Sequence, residues 1–412
     1  MELRTPTQEQ AFTEPLKPAS CGVDQPQWAT KPDVKGFKFC GGKKSEWTGA
    51  LDNVTSPIFD VATGERAIIG TLPNMSEADA VEVVEAAAAA WDKGQGVWPQ
   101  MSLAKRIAAI EAFVVELGKA REAMVNALMW EIAKSTTDAA AEFDRTILFI
   151  QAAIAQLKKD PTVGQGLSQW EEVSGFGVKV RRGPIGVLLG LAPFNYPLNE
   201  MYAMLIPALL LGNVAVLKLP AIGGLVHVLT ADAITAALPP GVVNFVSGSG
   251  RKTMGPIMKT GLIDVLGFIG GTRGADALIL AHPAPHRLKV GSRRYHMTPT
   301  TRHLCPRATS AHGQSPWCST YFCRRRLSPR RVSLRQVFAQ LEGKNMGIVM
   351  PDADLEVAAA ACVTGGLSYN GQRCTAVKLM MVHESVADAF VSKLLAKVRR
   401  RRAGVQKGVG GR

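Results

Sequence analysis

No apolar run in this sequence approaches the roughly 20 residues that a membrane-crossing helix needs. The longest, Met201 to Leu211, is interrupted by Pro207 and stopped by Gly212 and Asn213. Residues Met1 to Cys40 hold no apolar stretch of signal-peptide length and include Glu2, Glu9, Glu14 and Asp24, which argues against a secretory signal and a typical transit peptide. Cysteine is scarce: seven in 412 residues (Cys21, Cys40, Cys305, Cys318, Cys323, Cys362 and Cys374) do not make a disulfide framework. These absences predict a soluble, cytoplasmic protein in a reducing compartment, with no membrane partner.

Acid is missing from two stretches. Arg287 to Gln340 contains 12 Lys or Arg and Lys393 to Arg412 contains 8, with no Asp or Glu in either. The formal net charge of +14 therefore belongs to these stretches: the rest of the chain sets 28 bases against 34 acids, a net of −6 that is ordinary for a soluble enzyme. Nucleic-acid binding through Arg324 to Arg331 and Arg399 to Arg402 is disfavoured, because little aromatic interleaving accompanies the charge. Hydrophobic residues make up 47% of the chain, enough to bury the cores of two or three domains.

Residues 1 to about 70 read as an irregular arm with short strands. Ser76 and Asp79 form a capping box before an alanine-rich helix to Trp91, and Ser102 to Leu117 shows helical spacing. A third helical stretch runs from about Arg121 to Leu157. Short apolar strands follow at Ile185–Leu191, Val214–Leu217, Val242–Val246 and Val265–Ile269, separated by helical stretches. That alternation predicts an α/β fold with a doubly wound parallel sheet, whose ligands sit at the carboxyl ends of the strands. Beyond Gly291 periodicity vanishes until Leu341; a strand at Gly347–Met350, a helix from Asp352 or Asp354, a strand at Leu379–Val382 and a helix at Ser385–Val398 then follow.

Candidate chemistry lies in the loops. Cys374, in Gly-Gln-Arg-Cys-Thr beside Arg373, is placed for a thiolate that attacks carbonyl carbon, although a lone loop cysteine is more often incidental. Asn195, between Pro193 and Pro197 after the first strand, can donate to an oxyanion or simply make a turn. Lys218 at the second strand's end suits a ribose or phosphate, or is a solvated lysine. Gly248 and Gly250 suit close approach to a pyrophosphate, or a turn. Glu342 is a candidate general base, with an ordinary surface glutamate as the alternative. Cys305, His312, Cys318 and Cys323 fit no zinc spacing, so no metal is expected.

Together these blocks resemble the aldehyde dehydrogenase superfamily: Ala192 to Pro197, Val216 to Pro220, Gly241 to Asn244 leading to Gly248, Phe268-Ile269-Gly270-Gly271-Thr272, Leu341 to Leu355, and Gly371 to Ala376. The resemblance covers roughly 50 to 290 and 339 to 398, and is strongest toward the non-phosphorylating, NADP-dependent glyceraldehyde-3-phosphate dehydrogenases. It implies a dinucleotide-binding domain plus an incomplete α/β catalytic domain. Cys374 would be the nucleophile, Asn195 and the Cys374 N–H would hold the oxyanion, and a carboxylate would activate water on a thioester. The cofactor would meet Lys218, Pro220, Gly248, Gly250, Phe268, Gly270 and Gly271. Arg145, Tyr196 and Arg373 would meet the phosphate of a small phosphorylated aldehyde. No acid follows Lys218-Leu219-Pro220 to repel a 2′-phosphate, so NADP is expected and NAD is possible.

Three features depart from the pattern. The usual base motif, Glu-Leu-Gly-Gly-Lys, aligned on Lys344 puts Gln340 in the Glu position and Glu342 two residues later, a displacement of about 7 Å along a strand. Removing Gly291 to Phe338 joins Val290 to Ala339 and restores the expected length, so this stretch is expected to be translated intron or out-of-frame sequence, a true disordered insertion being the alternative. The expected divisions are 1–290 for arm, helices and dinucleotide-binding domain, 291–338 for the basic segment, 339–398 for the first part of the catalytic domain, and 399–412 for a formless basic tail. Complete relatives continue well past the nucleophile and form homo-oligomers. Little or no turnover is therefore expected of these 412 residues, the alternative role being that of an inactive relative that binds dinucleotide.

Overall fold

In chain order an N-terminal arm and a run of helices precede the parallel sheet. The computed structural model describes residues 30–59, 64–159, 171–178, 182–285, 289–290, 338–341 and 343–407. In the arm, β1 (Lys38–Cys40) and β2 (Lys43–Ser45) turn through Gly41 and Gly42, while β3 (Leu51–Phe59) and β4 (Arg66–Pro73) form a longer antiparallel pair than the short strands expected. Alternation along β4 buries Ala67 and Ile69.

The capping box is present: Ser76 Oγ accepts from the Asp79 N–H at 3.3 Å, and Asp79 Oδ2 accepts from the Ser76 N–H at 2.9 Å, opening α1 (Glu77–Trp91). α2 (Val97–Gln100) and α3 (Leu103–Lys119), the latter capped by Ser102, follow. The stretch expected as one helix from Arg121 is two. α4 (Arg121–Ile132) stops where Ala133 enters the left-handed region at φ 57°, and α5 (Thr136–Lys159) starts after Ser135. No Gly or Pro marks this break, which is why apolar spacing runs through it. A small hairpin, β5 (Glu171–Val173) and β6 (Phe176–Val178), turns at Ser174 and Gly175.

The parallel sheet is built from β7 (Val187–Leu191), α6 (Pro197–Leu210), β8 (Val214–Lys218), α7 (Leu225–Val228), α8 (Ala231–Ala237), β9 (Val243–Val246), α9 (Gly250–Lys259), β10 (Val265–Gly270) and α10 (Thr272–Ala281). Its order is β10-β7-β8-β9, parallel throughout, and the register aligns Phe268, Leu191, Lys218 and Val246 in one row near the carboxyl ends. β7, β8 and β9 are almost wholly buried, as expected for strands covered on both faces.

On the other side of β10 the partner strand is split. β11 (Lys289–Val290) pairs with Val265 and Leu266, and β12 (Phe338–Leu341) pairs with Gly267 to Gly270. Val290 and Phe338 thus take consecutive register places although 47 residues separate them in sequence. Phe338, which composition assigns to the basic segment, belongs to the sheet, so the junction is Val290 to Phe338 instead of Val290 to Ala339. Residues 291–337 lie outside the described residues.

β13 (Asn345–Val349), α11 (Leu355–Leu367), β14 (Val377–Val382) and α12 (Ala387–Lys407) complete the chain. α11 is capped by Asp354, whose Oδ1 accepts from Glu356 and Val357 N–H groups. The expected formless tail is corrected: Arg399 to Arg402 continue α12, because Arg, Ala, Lys and Gln are good helix formers and no Pro interrupts them. One large core extends from Phe39 to Leu278, and a small one joins Val349, Ala359, Cys362 and Phe390. No helix of the described residues is long and apolar enough to cross a membrane.

Candidate active site

The sheet delivers one loop to Cys374, and the α4–α5 corner supports the Cys374 loop. After β7 the chain runs through Ala192–Pro197, and Pro197 begins α6, where its missing N–H would be unpaired in any case. Asn195 Nδ2 donates to the carbonyl of Gln372, two residues before Cys374. That nitrogen carries a second N–H. Cys374 presents an exposed thiol, and its carbonyl accepts from Asn345 Nδ2 at 2.5 Å. Gln372 Nε2 donates to the Ile132 carbonyl at 3.2 Å, tying the Cys374 loop to the end of α4. The structure therefore brings Asn195 to the Cys374 loop.

Around Tyr196 the cations gather. Its ring packs on Tyr369 with centroids 5.1 Å apart, and the Arg373 guanidinium lies 5.7 Å from the Tyr369 ring. Arg373 also donates to Ser368 Oγ at 2.7 Å. Burial, then a hydrogen bond with Tyr369, push the Tyr196 phenol well above its ordinary range, while the charges of Arg373 and Arg145 pull against that rise. Arg145, exposed on α5, Tyr196 and Arg373 are thus electrostatic neighbours. Lys134 adds a third cation, its Nζ 4.3 Å from the Tyr196 ring centroid and 5.3 Å from that of Tyr369.

Lys218 closes β8 at 8% exposure, its Nζ donating to the Leu219 carbonyl at 2.6 Å. Burial lowers its pKa to about 8, with Asp52 opposing. Pro220 is partly buried in the following loop. Gly271 caps α10, and a Cβ on Gly270 would stand 2.8 Å from the Phe268 ring, which folds over the start of that helix. Gly248 has φ 81°, and a Cβ there would meet the Met75 nitrogen at 2.8 Å, so its bareness already serves packing against the entry to α1. Gly250 begins α9 and has only an ordinary contact with Met254. Glu342 and the Cys305, His312, Cys318, Cys323 group lie outside the described residues.

Sequence reading missed three buried charges. Glu131 and Glu142 are each 1% exposed, and Glu142 pairs with Lys134, itself 6% exposed. The signal was available: Glu142 shares the face of α5 that carries Ala139, Thr146, Ile150 and Ile154, where a carboxylate is out of place unless something pairs it.

Comparison with known proteins agrees with this layout. The profile of the "Aldehyde dehydrogenase family" matches residues 52–290 and 324–408, most of the chain. The chain belongs to the aldehyde dehydrogenase family. Among its relatives, the NADP-dependent glyceraldehyde-3-phosphate dehydrogenase of Streptococcus equinus is 30% identical over 86% of this chain and 62% of its own length. That of Nicotiana plumbaginifolia is 27% identical over 89% and 63%. The crystal structure of NADP-dependent glyceraldehyde-3-phosphate dehydrogenase from Bacillus halodurans C-125 complexed with NADP superposes with TM-score 0.67 at 25% identity, over 89% of this chain and 65% of that one. Betaine aldehyde dehydrogenase of Staphylococcus aureus, 20% identical with TM-score 0.68 over 89% of this chain and 61% of that one, shares the fold. This family member spans less than two thirds of the length of each of these relatives. The family match also stops at Val290, the residue where the edge strand is split.

Proposed function

We propose that this family member oxidises glyceraldehyde 3-phosphate to 3-phosphoglycerate with NADP, through a thioester on Cys374. The observation that carries the reading is the pair of guanidinium charges, Arg145 and Arg373, acting on Tyr196 beside the Cys374 loop. Guanidinium forks match phosphate oxygens, whereas an uncharged aldehyde gives them nothing to neutralise. The names of the Streptococcus equinus and Nicotiana plumbaginifolia relatives support the same substrate.

The residues present fit a dinucleotide. Lys218 is a buried ammonium whose hydrogen bond goes to the adjacent carbonyl, so an anionic or hydroxyl-bearing ligand would complete its surroundings. The N-termini of α9 and α10 open at the same sheet edge, where backbone N–H groups suit phosphates. Lys218, Pro220, Gly250, Phe268, Gly270 and Gly271 would hold the cofactor there, and Gly248 would shape the turn before α9. When bound, NADP supplies the acceptor for the two electrons lost by the aldehyde carbon. Residues 219–224 include no acid to repel a 2′-phosphate, which supports NADP and leaves NAD possible.

Cys374 Sγ bonds to the aldehyde carbon as the carbonyl oxygen becomes an oxyanion, which the second N–H of Asn195 Nδ2 and the Cys374 N–H stabilise. After oxidation, water adds to the thioester, loses its proton to a carboxylate and displaces the Cys374 thiolate; Glu342 is the carboxylate we assign. The product forms without an acyl phosphate. A cytosolic setting suits an exposed thiol.

Because little or no steady-state turnover is expected of these 412 residues, the test is a single turnover with the whole chain at high concentration. The expected result is absorbance of NADPH that requires the phosphorylated aldehyde and is lost in Cys374→Ser. NADP binding with no NADPH under these conditions would overturn the oxidation reading and leave a dinucleotide binder.

A further inference from the structure

The junction of α4 and α5 touches three loops of the site, those that hold Gly224, Leu198 and Gln372. Glu131, the penultimate residue of α4, turns inward: its carboxylate accepts from Gly224 N at 2.8 Å and from Leu225 N at 3.2 Å, and Gly223 N also contributes. These amides lie in the loop that follows Lys218 and Pro220 and leads into α7. One residue later, the Ile132 carbonyl accepts from Gln372 in the nucleophile loop. Ala133 then reverses the chain, and Lys134 pairs with Glu142, whose other oxygen accepts from Leu198 N at 3.0 Å and Asn199 N at 3.2 Å, in the first turn of α6 beside Asn195 and Tyr196.

We propose that Glu131 and Glu142 are positioning residues for the reaction: Glu131 sets the Lys218–Leu225 loop for the cofactor, and Glu142, neutralised by Lys134, sets the Asn195–Tyr196 loop against Cys374. Each carboxylate sits where the first N–H groups of a helix lack intrahelical partners, the arrangement that favours negative charge. Both are 1% exposed, and Glu142 meets the cations around Tyr196 only through Lys134. Backbone N–H groups of Gly224, Leu225, Leu198 and Asn199 donate to these two buried carboxyl groups, which fixes the loops in direction as well as in distance. A five-residue corner, Trp130 to Lys134, with Glu142, thereby ties cofactor, nucleophile and oxyanion loops to one rigid pair of helices.

The inference rests on the site reading above, and its test separates the two. Glu131→Gln and Glu142→Gln would be compared in the full chain by NADP affinity from tryptophan fluorescence, by the rate of Cys374 alkylation with iodoacetamide, and by hydrogen exchange at the held amides. Glu131→Gln is expected to speed exchange at Gly224 and Leu225 and to weaken NADP binding about tenfold, with alkylation unchanged within about twofold. Glu142→Gln is expected to speed exchange at Leu198 and Asn199 and to change alkylation about threefold or more, with NADP affinity unchanged within about twofold. If exchange quickens while both functional readouts stay at wild-type values, or if both variants move both readouts alike, the carboxylates are structural only and the proposal falls. Should Glu131→Gln fail to fold, Glu131→Asp, which shortens the arm, must give the same split. A wild-type chain that binds no NADP would sink the cofactor reading, while Glu142→Gln still decides the positioning role through Cys374.

Discussion

Excision of residues 291–337, joining Val290 directly to Phe338, should leave the sheet intact and strengthen it. Along β10 the partners run Lys289, Val290, Phe338, Ala339, Gln340 and Leu341 without a skipped place. A peptide bond between Val290 and Phe338 therefore completes a strand whose two halves already stand in register. Closing a loop of 47 residues costs on the order of (3/2)RT ln n, about 3 kcal/mol, which a direct bond removes. Against a total stability of roughly 5–15 kcal/mol that gain is large. Urea unfolding followed by tryptophan fluorescence, with Trp98 buried in the core as a reporter, should show the midpoint rise by about 1 M or more.

The control is removal of one residue more. Deleting 291–338 joins Val290 to Ala339, and because side chains alternate with period two, every later residue of β12 must then face the opposite side or the strand must bulge. Loss of about two ladder bonds makes that variant roughly 1–3 kcal/mol less stable than the shorter deletion. Equal midpoints for the two deletions, or a deletion of 291–337 that unfolds more easily than the parent chain, would refute the register argument.

Other outcomes follow from the buried groups. Burial lifts Glu131 to about 7, so between its ordinary value and 7 the folded chain keeps a proton that the unfolded chain has lost; stability should fall by on the order of 3 kcal/mol as pH rises through that window and level off above it, and Glu131→Gln should flatten the slope. His227 is driven down to about 3 by burial, and neither ring nitrogen has a protein partner; stability should fall as pH drops from about 6.5 towards 3, and His227→Leu should remove this slope and add about 1–3 kcal/mol at pH 7 in thermal melts. With its pKa lowered to about 8, Lys218 is a strained cation at pH 7, so Lys218→Met should raise the melting temperature while NADP affinity falls about tenfold or more in the same preparation. At Gly223, with φ 87°, a Cβ would clash with Pro197 at 2.9 Å where the Lys218–Leu225 loop meets the Asn195 loop; Gly223→Ala should weaken NADP binding and alter Cys374 alkylation together, unlike either carboxylate variant.

What the sequence disclosed and what it hid divide along physical lines. β7, β8, β9 and β10 were legible because strands buried on both faces are short, continuous apolar runs, and their spacing by helices pointed to a doubly wound parallel sheet. Asn195 and Lys218 drew attention because they follow strands at the carboxyl edge of that sheet, and Cys374 because of its loop beside Arg373; the structure joins Asn195 to the Cys374 loop through the Gln372 carbonyl. The α4–α5 corner was not, because a left-handed alanine leaves no signature in composition, and a glutamate that accepts backbone N–H groups from a distant loop looks in sequence like any surface glutamate. The boundary at Phe338 was missed by one place for a related reason: composition locates a change of character over several residues, whereas strand pairing fixes it to one. Local regularities announce themselves within a window of sequence. Contacts that join Glu131 to Gly224, or that set Val290 and Phe338 in successive places along β10, exist only once the chain has closed around them.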